Sequence, residues 1–375
     1  MTRDDTLNDL TTRLTTGRLT RRDFVVKAMA LGVSVSAIGA VLSACGGGDD
    51  TGGGGGEKVT MSFVSWGGTF QEAQTKAWLD PYAKANPNVT WVQDEPTDYA
   101  KIKAMVESGN VTWDVVDIGN DFGLSATSEA LLTKLDPSIV PMDELQPDVF
   151  LTHGYRAPCH VYSTVVGYLP DKVSTPTSFA DFFDLAKFPG KRGCYNFVSG
   201  GLLEMALVAD GVAPADLYPL DTQRAFDYID KTIKDQTVWW DTGAQSAQLL
   251  ADGEVVMGMS WNNRLVTARE EGSSIDIMWD QHVMMADYFC IPKGIKNTDA
   301  AMKFIGWALS ADHAADLSKY IASGPGNKNA LDKVDPKYAA DIPTAHLEGA
   351  VPQDDQYWAD NYDKLDPVWQ KWVQA

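Results

Sequence analysis

Two tryptophans at the ends of apolar segments are the residues of this sequence best suited to hold a small ligand. Trp66 ends the segment VTMSFVSW just before Gly67-Gly68, and Trp261 ends the segment VVMGMSW. The face of an indole ring attracts a cation, an interaction worth about 2 kcal/mol where water is excluded. Core packing is the alternative for any single tryptophan. It suits another group better: Trp78, Trp307, Trp358, Trp369 and Trp372.

A guanidinium group follows Trp261 closely, at Arg264. Arginine can hold a carboxylate through two parallel hydrogen bonds, so Arg264 is a candidate for the acidic end of a ligand. A structural ion pair inside the protein is the alternative, and the sequence leaves both open.

Short catalytic and metal-binding motifs are absent from the sequence. It contains no G-x-S-x-G, no H-E-x-x-H and no Gly-Lys-Ser/Thr phosphate loop. Its histidines lie far apart without ligand spacing, at His153, His160, His282, His313 and His346. We therefore expect no catalytic residues, no metal and no cofactor, and a chain that is not an enzyme. An envelope hydrolase or transferase that uses paired carboxylates stays open, because such chemistry leaves no short motif.

The N-terminal region has the features of an export signal. The sequence Thr20-Arg21-Arg22-Asp23-Phe24 resembles a twin-arginine motif, and 15 uncharged residues follow at 28–42. This run is shorter than the roughly 20 residues of a membrane-spanning helix. The next residues, Leu42-Ser43-Ala44-Cys45, resemble a lipobox, in which the cysteine receives the lipid. We expect a signal peptide at 1–44, a lipid anchor at Cys45 and a flexible glycine-rich linker at 45–56.

Net charge and cysteine content limit the partners and the disulfides that this chain could have. The chain has 31 Lys+Arg against 51 Asp+Glu, a net charge of −20, so it is unsuited to nucleic acid, which is bound by clustered basic residues. Cys159 and Cys194 could form a disulfide in the oxidising environment outside the cytoplasm, because each lies in a predicted strand of what we expect to be the same half of the protein. Cys290 fits a buried apolar segment.

The body of the chain alternates strand-like and helix-like segments. Strands are predicted at 59–66, 89–93, 114–118, 161–169, 194–197 and 255–261. Helices are predicted at 70–85, 99–108, 179–187, 202–210 and 221–235, with a long one at 298–322. This alternation predicts an α/β fold of largely parallel sheets covered by helices, which bind ligands at the carboxyl ends of strands.

Several segments together resemble one family. They are SFVSWGG, TWDVVDIGN, FPGKRG, LLEMALVADGV, LLADGEVVMGMSWNNR and ADYFCIPKG. Their order and spacing resemble the spermidine/putrescine-type solute-binding proteins of ABC importers. The resemblance implies a two-lobed periplasmic-binding-protein fold of type II with a hinge. The first lobe would comprise 57–157 plus 262–310, and the second 158–261 plus 311–375.

The resemblance also implies ligand-binding positions. Trp66 and Trp261 match ligand-stacking tryptophans, and Asp287 matches an acid that binds an amine. Asp121 stands where the family has an aromatic residue. Val198 and Gly201 stand where polyamine binders have two acids, and Glu204 could replace one of them. Gln245, in a loop that resembles the family's second-lobe loop, is a further candidate.

These positions predict a small cationic amine of the polyamine class as ligand. A zwitterionic amino-carboxylate, such as an ω-amino acid, is the alternative, because Asp287 and Arg264 could hold its two ends. The expected partner is a permease in the cytoplasmic membrane, reached by a lipid-anchored monomer of the cell envelope, in the periplasm or on the outer face of that membrane. A sensory module that delivers its ligand to a receptor remains a further alternative.

Overall fold

The computed structural model describes residues 58–124, 126–145 and 154–375. The predicted signal peptide, the anchor at Cys45, the linker and His153 lie outside these residues. Within the described residues, no helix is both long and apolar enough to span a membrane.

The strands form one mixed sheet. They are β1 (Val59–Val64), β2 (Val89–Asp94), β3 (Val115–Ile118), β4 (Arg156–Tyr168), β5 (Arg192–Tyr195), β6 (Thr237–Trp240), β7 (Met257–Trp261), β8 (Asp276–Cys290), β9 (Gly324–Pro325) and β10 (Ala350–Pro352). Their order in the sheet is β2-β1-β3-β8-β4-β7-β5-β6, with β9 paired to β4 and β10 to β8.

Helices connect the strands. They are α1 (Gly68–Gln74), α2 (Asp80–Ala85), α3 (Tyr99–Ser108), α4 (Ala126–Leu131), α5 (Phe179–Phe183), α6 (Leu202–Ala209), α7 (Thr222–Thr232), α8 (Gly243–Ala251), α9 (Asn262–Glu270), α10 (Thr298–Ala308) and α11 (Asp355–Val373). A π-helical segment, Thr75–Leu79, lies between α1 and α2. The alternation of strands and helices confirms the predicted α/β class.

Two long antiparallel strands occupy the middle of the sheet. Strands β1 and β3 pair in parallel, as β5 does with β6 and β7. We call β1 and β3 the N-terminal strand group and β5, β6 and β7 the C-terminal strand group. Strands β4 and β8 pair with each other along most of their length, β8 with β3 and β4 with β7. The two groups are therefore joined through β4 and β8.

Apolar residues pack on both strand groups. One buried cluster includes Val64, Ile118 and Tyr288 beside the N-terminal strand group. A larger cluster surrounds the C-terminal strand group and includes Trp358 and Trp369 of α11. The core interpretation of these two tryptophans is confirmed, as it is for the fully buried Trp78.

Contacts divide the chain into two compact units. The described part of one consists of residues 58–60 with Pro87–Thr90, where the Val59 amide donates to the Asn88 carbonyl (2.8 Å). The other consists of Met61–Asn86 with Trp91–Ala375. The lobe boundaries expected from the sequence remain a prediction.

The predicted long helix at 298–322 is wrong in length, because α10 ends at Ala308. The Ser310 hydroxyl donates to the Trp307 carbonyl, and the indole of Trp78 donates to the His313 carbonyl. These contacts engage backbone carbonyls that a continuing helix would use. Ala314 and Ala315 pack in a separate cluster with Val266.

The suggested disulfide between Cys159 and Cys194 is also wrong, since both are free buried thiols. The sheet register explains why. Gly193 pairs with Gly258, which in turn pairs with Gly167, so Cys194 lies near the far end of β4 from Cys159. At about 3.3 Å per residue, their separation of about seven residues along β4 is roughly 20 Å, whereas a disulfide needs Cα atoms within about 7 Å.

Candidate functional site

A cavity of about 570 Å³ lies across the middle of the sheet. It falls within the roughly 300–1,000 Å³ typical of small-molecule sites. Five of the predicted site residues line it: Trp66, Asp121, Trp261, Arg264 and Asp287. The aromatic side chains that line it with them are Phe70, Tyr99, Tyr162, Tyr195, Phe197 and Tyr362.

The N-terminal strand group supplies one wall. Trp66 follows β1 and is 41% exposed, so part of its ring is free to meet a ligand. Asp121 follows β3, and its Oδ1 accepts a hydrogen bond from the Tyr99 hydroxyl (2.9 Å). That hydroxyl in turn accepts from the Gly119 amide (3.0 Å). Burial raises the pKa of Asp121, while the Tyr99 hydrogen bond opposes the shift.

The central strands supply Asp287 and His160. These residues stand opposite each other in the β4–β8 ladder. His160 Nε2 lies 3.2 Å from Asp287 Oδ2, and His160 Nδ1 lies 2.9 Å from the Ser323 hydroxyl. An ionised carboxylate can only accept, so Nε2 carries the hydrogen of this contact. Asp287 is therefore an oriented acceptor at the cavity wall.

The C-terminal strand group and α9 supply the third wall. Trp261 makes edge contacts with Tyr195 (5.5 Å between ring centroids) and Trp240 (5.9 Å), which fix its orientation. Burial lowers the pKa of Arg264. No salt bridge from a described carboxylate reaches its guanidinium group, so the structural ion pair considered from the sequence is not formed among these residues.

A buried ion pair fixes the backbone of the loop that carries Asp121. Arg156 Nη2 lies 2.6 Å from Asp355 Oδ2, and Arg156 Nη1 donates to the carbonyls of Asn120 (2.8 Å) and Phe122 (3.0 Å). The Tyr288 hydroxyl donates to the same carboxylate oxygen (2.6 Å). The backbone on both sides of Asp121 is thereby tied to β4 and to the first residue of α11.

Two of the residues predicted to contact the ligand do not line the cavity. Glu204 is fully buried in α6, where its Oε1 accepts from the Tyr218 hydroxyl, the Gln353 amide and the Trp358 indole. Gln245 is exposed and caps α8, with its Oε1 accepting from the amides of Asp241 and Thr242. Both have structural partners in place of a ligand.

Sequence reasoning missed His160 and most of the aromatic lining. His160 and Tyr162 alternate with Cys159 and Val161 along β4, so they share one face of the strand. The alternation CHVY contained this signal, but it does not tell which face meets a cavity. Their partners across the ladder, Asp287 and Met285, line the same cavity.

Comparisons with known proteins agree with this architecture. The model of the bacterial extracellular solute-binding protein family matches residues 77–344. A γ-aminobutyric acid-binding protein of Pseudomonas aeruginosa is 33% identical over 323 residues, which are 84% of this chain and 91% of that protein. The spermidine/putrescine-binding periplasmic protein of Escherichia coli is 25% identical over 66% of this chain and 72% of its own length. A solved structure described as a GABA receptor is 43% identical, with a TM-score of 0.79, over 84% of this chain and 98% of its own.

Proposed function

The chain belongs to the family of bacterial extracellular solute-binding proteins, and from that premise we propose that its cavity captures a small zwitterionic amino-carboxylate for an ABC importer. γ-Aminobutyrate is the compound that represents this class in the tests below. The protein performs no catalysis in this proposal. It binds the solute and presents it to a permease.

One observation carries the proposal: Arg264 is a half-buried guanidinium group without a described carboxylate partner, in the same cavity as Asp287. A charge that is partly removed from water and lacks a partner is unfavourable, so such a site favours a ligand that supplies one. The carboxylate of an amino acid would pair with Arg264 in a charge-assisted, two-pronged geometry. Its ammonium group would pair with Asp287.

The rest of the lining suits the chain that joins the two ends. Trp66 and Trp261 offer apolar faces to methylene groups, and their π systems also attract an ammonium group. The named relatives supply independent support, since a protein 33% identical to this chain binds γ-aminobutyric acid. A solved structure 43% identical is described as a receptor for the same compound.

A polyamine is the second candidate, and it was the first expectation from the sequence. Two carboxylates in the cavity, Asp121 and Asp287, favour it. So does the spermidine/putrescine-binding relative of Escherichia coli. Arg264 opposes it, because a ligand with only positive charges would be repelled by the guanidinium group.

Titration calorimetry with γ-aminobutyrate and putrescine tests the ligand class. We expect Arg264→Gln to weaken γ-aminobutyrate binding at least about 30-fold, because truncating one partner of a buried charge pair costs about 2 kcal/mol or more. The same change should leave putrescine binding equal or tighter. Arg269→Gln is the matched control, since Arg269 lies on the same helix but pairs with Asp341. An unchanged affinity of Arg264→Gln for γ-aminobutyrate contradicts the proposal.

The proposal includes closure of two lobes around the ligand and a lipid anchor. The lobes would be those expected from the sequence, 57–157 plus 262–310 and 158–261 plus 311–375. Membership of an extracellular family and the twin-arginine motif support export, and the lipobox supports anchoring through Cys45. Membrane fractionation checks the anchor: Cys45→Ser should move the protein to the soluble fraction.

A further inference from the structure

Building on the proposed function, we infer that His160 controls how strongly the cavity holds the ammonium group of its ligand. Neutral His160 orients the Asp287 carboxylate for the ammonium group of the ligand. Protonated His160 pairs with Asp287 in place of that ammonium group. His160 is a positioning residue in this inference, and capture becomes dependent on pH.

The geometry around His160 accommodates both protonation states. Nε2 donates to Asp287 Oδ2 in either state, since the carboxylate cannot donate. The Ser323 hydroxyl, 2.9 Å from Nδ1, can donate to the neutral ring or accept from the charged one. The change of charge therefore requires only rotation of a hydroxyl.

The two protonation states of His160 differ in the negative charge that Asp287 can offer to a ligand. Beside a neutral imidazole, Asp287 keeps its full negative charge, and among the described residues no donor contacts its second oxygen, Oδ1. An imidazolium instead forms an ion pair with Asp287, and the charge that would hold the ammonium group is already compensated.

His160 has this effect because it is nearly enclosed. It is 2% exposed, and its ring packs against Phe70 (5.0 Å) and Tyr162 (5.5 Å). Few water molecules can screen its charge from Asp287 in such a site, so the interaction between them is stronger than at a surface.

Other ionisable groups surround the pair, and a test must separate them from His160. Asp117 lies on β3, the strand that pairs with β8. Burial together with the charge of Asp287 raises the pKa of Asp117 well above its usual range. The remaining groups near the pair and around the cavity are Asp121, Tyr99, Cys159, Tyr162, Tyr195, Tyr288, Tyr362 and Arg264. Asp117 and Asp121 are the acids that could take up a proton in place of His160.

The test measures the dissociation constant of γ-aminobutyrate with the full-length protein from pH 5.5 to 8. Imidazoles titrate in this range, whereas neither charged group of the ligand does. For wild type we expect affinity to fall as pH falls, by at most about tenfold per pH unit, the limit for one proton. For His160→Gln we expect a change below about threefold over the whole range, because the amide donates to Asp287 but does not titrate.

Two further variants complete the test. Ser323→Ala should shift the pH dependence to lower pH, because both ring states lose a hydrogen bond and the one to the charged ring is the stronger. This variant serves if His160→Gln does not fold. His282→Gln is the matched control, because His282 is also buried and bonded to a serine hydroxyl (2.8 Å) but does not line the cavity. It should keep the wild-type pH dependence.

The outcomes separate the two claims. Loss of the pH dependence in His160→Gln together with its retention in His282→Gln supports the assignment. If His160→Gln keeps the wild-type dependence, the proton is taken up elsewhere and the assignment of His160 is overturned, while the proposed function stands. If wild type binds γ-aminobutyrate at no pH, the proposed function fails, and the inference fails with it.

Discussion

At the scale of single residues, the ion pair between Arg156 and Asp355 ties the candidate site to the C-terminal helix. Both side chains are almost completely buried, so each charge depends on the other. Burial raises the pKa of Asp355, and the charge of Arg156 is the largest effect that opposes the shift. The pair therefore holds the Asp121 loop only while both partners are present.

Replacing Asp355 by Asn should lower the free energy of unfolding by about 3–5 kcal/mol, because the charge of Arg156 then stays buried without compensation. Urea denaturation at neutral pH measures this loss. Asp360→Asn on the same helix is the control, since Asp360 is exposed, and it should change stability by less than about 0.5 kcal/mol. Equal effects of the two substitutions would show that the buried pair is not stabilising.

His282 predicts a pH dependence of stability. Burial lowers its pKa from 6.5 to about 4 in the folded protein. Between these values the unfolded chain binds a proton that the folded chain does not, so stability falls as pH falls from 6.5 to 4. The full contribution of this group is on the order of 3 kcal/mol.

We expect His282→Gln to lose less stability than wild type between pH 7 and pH 4.5. Urea denaturation at the two pH values measures the difference. The same acid sensitivity in wild type and His282→Gln would refute the role of His282.

The sequence identified five residues of the cavity wall because Trp66, Asp121, Trp261, Arg264 and Asp287 each follow or end a recognisable segment. It misplaced Glu204 for a physical reason. The donors to its carboxylate, Tyr218, Gln353 and Trp358, lie 14 to 154 residues away in the chain. Only the folded structure shows that its hydrogen bonds are already used.

At the scale of elements, local signals explain which segments were predictable. Helix α3 was predicted with the bounds that it has, because Asp98 caps its start and Gly109 ends it in the left-handed region (φ 69°). Strand β8 was not predicted from the sequence. It carries Asp280, His282 and Asp287 within 15 residues, and the partners that make these polar residues tolerable come from distant segments.

Helix α8 supports the wall formed by Trp261 and Arg264. A Cβ atom added at Gly243, its first residue, would lie 2.6 Å from Trp261 Cζ3 and 3.0 Å from Arg264 Nε. The absence of a side chain at Gly243 therefore allows both residues to reach their positions.

We expect Gly243→Ala to weaken γ-aminobutyrate binding about tenfold or more, because a displacement of about 1 Å in a binding site is costly. Overall stability should change by less than about 1 kcal/mol, since alanine favours the helix and offsets part of the strain. Calorimetry and urea denaturation measure the two quantities. Ala244→Ser, at an exposed position of the same helix, should leave both unchanged, and unaltered binding in Gly243→Ala would show that the contact is relieved elsewhere.

At the scale of the whole molecule, the two strand groups share their structural support. Strands β4 and β8 contribute to the packing of both, and β4 supplies Arg156 at one end and pairs with β7 at the other. The Gln353 side chain adds a second link: it contacts Asn120 after β3, and its amide donates to the Ser199 carbonyl (2.9 Å) after β5. Loss of structure in either group would therefore remove strand pairing and packing from the elements that they share.

We therefore expect residues 58–375 to unfold in one cooperative transition, although the predicted lobes are two. Far-ultraviolet circular dichroism and tryptophan fluorescence should give coincident urea curves, because tryptophans occur beside both strand groups. γ-Aminobutyrate at 100 times its dissociation constant should stabilise the protein by about 2.7 kcal/mol and move both curves together. Separate transitions, or a shift of only one curve, would mean that the strand groups unfold independently and that the β4–β8 ladder does not couple them.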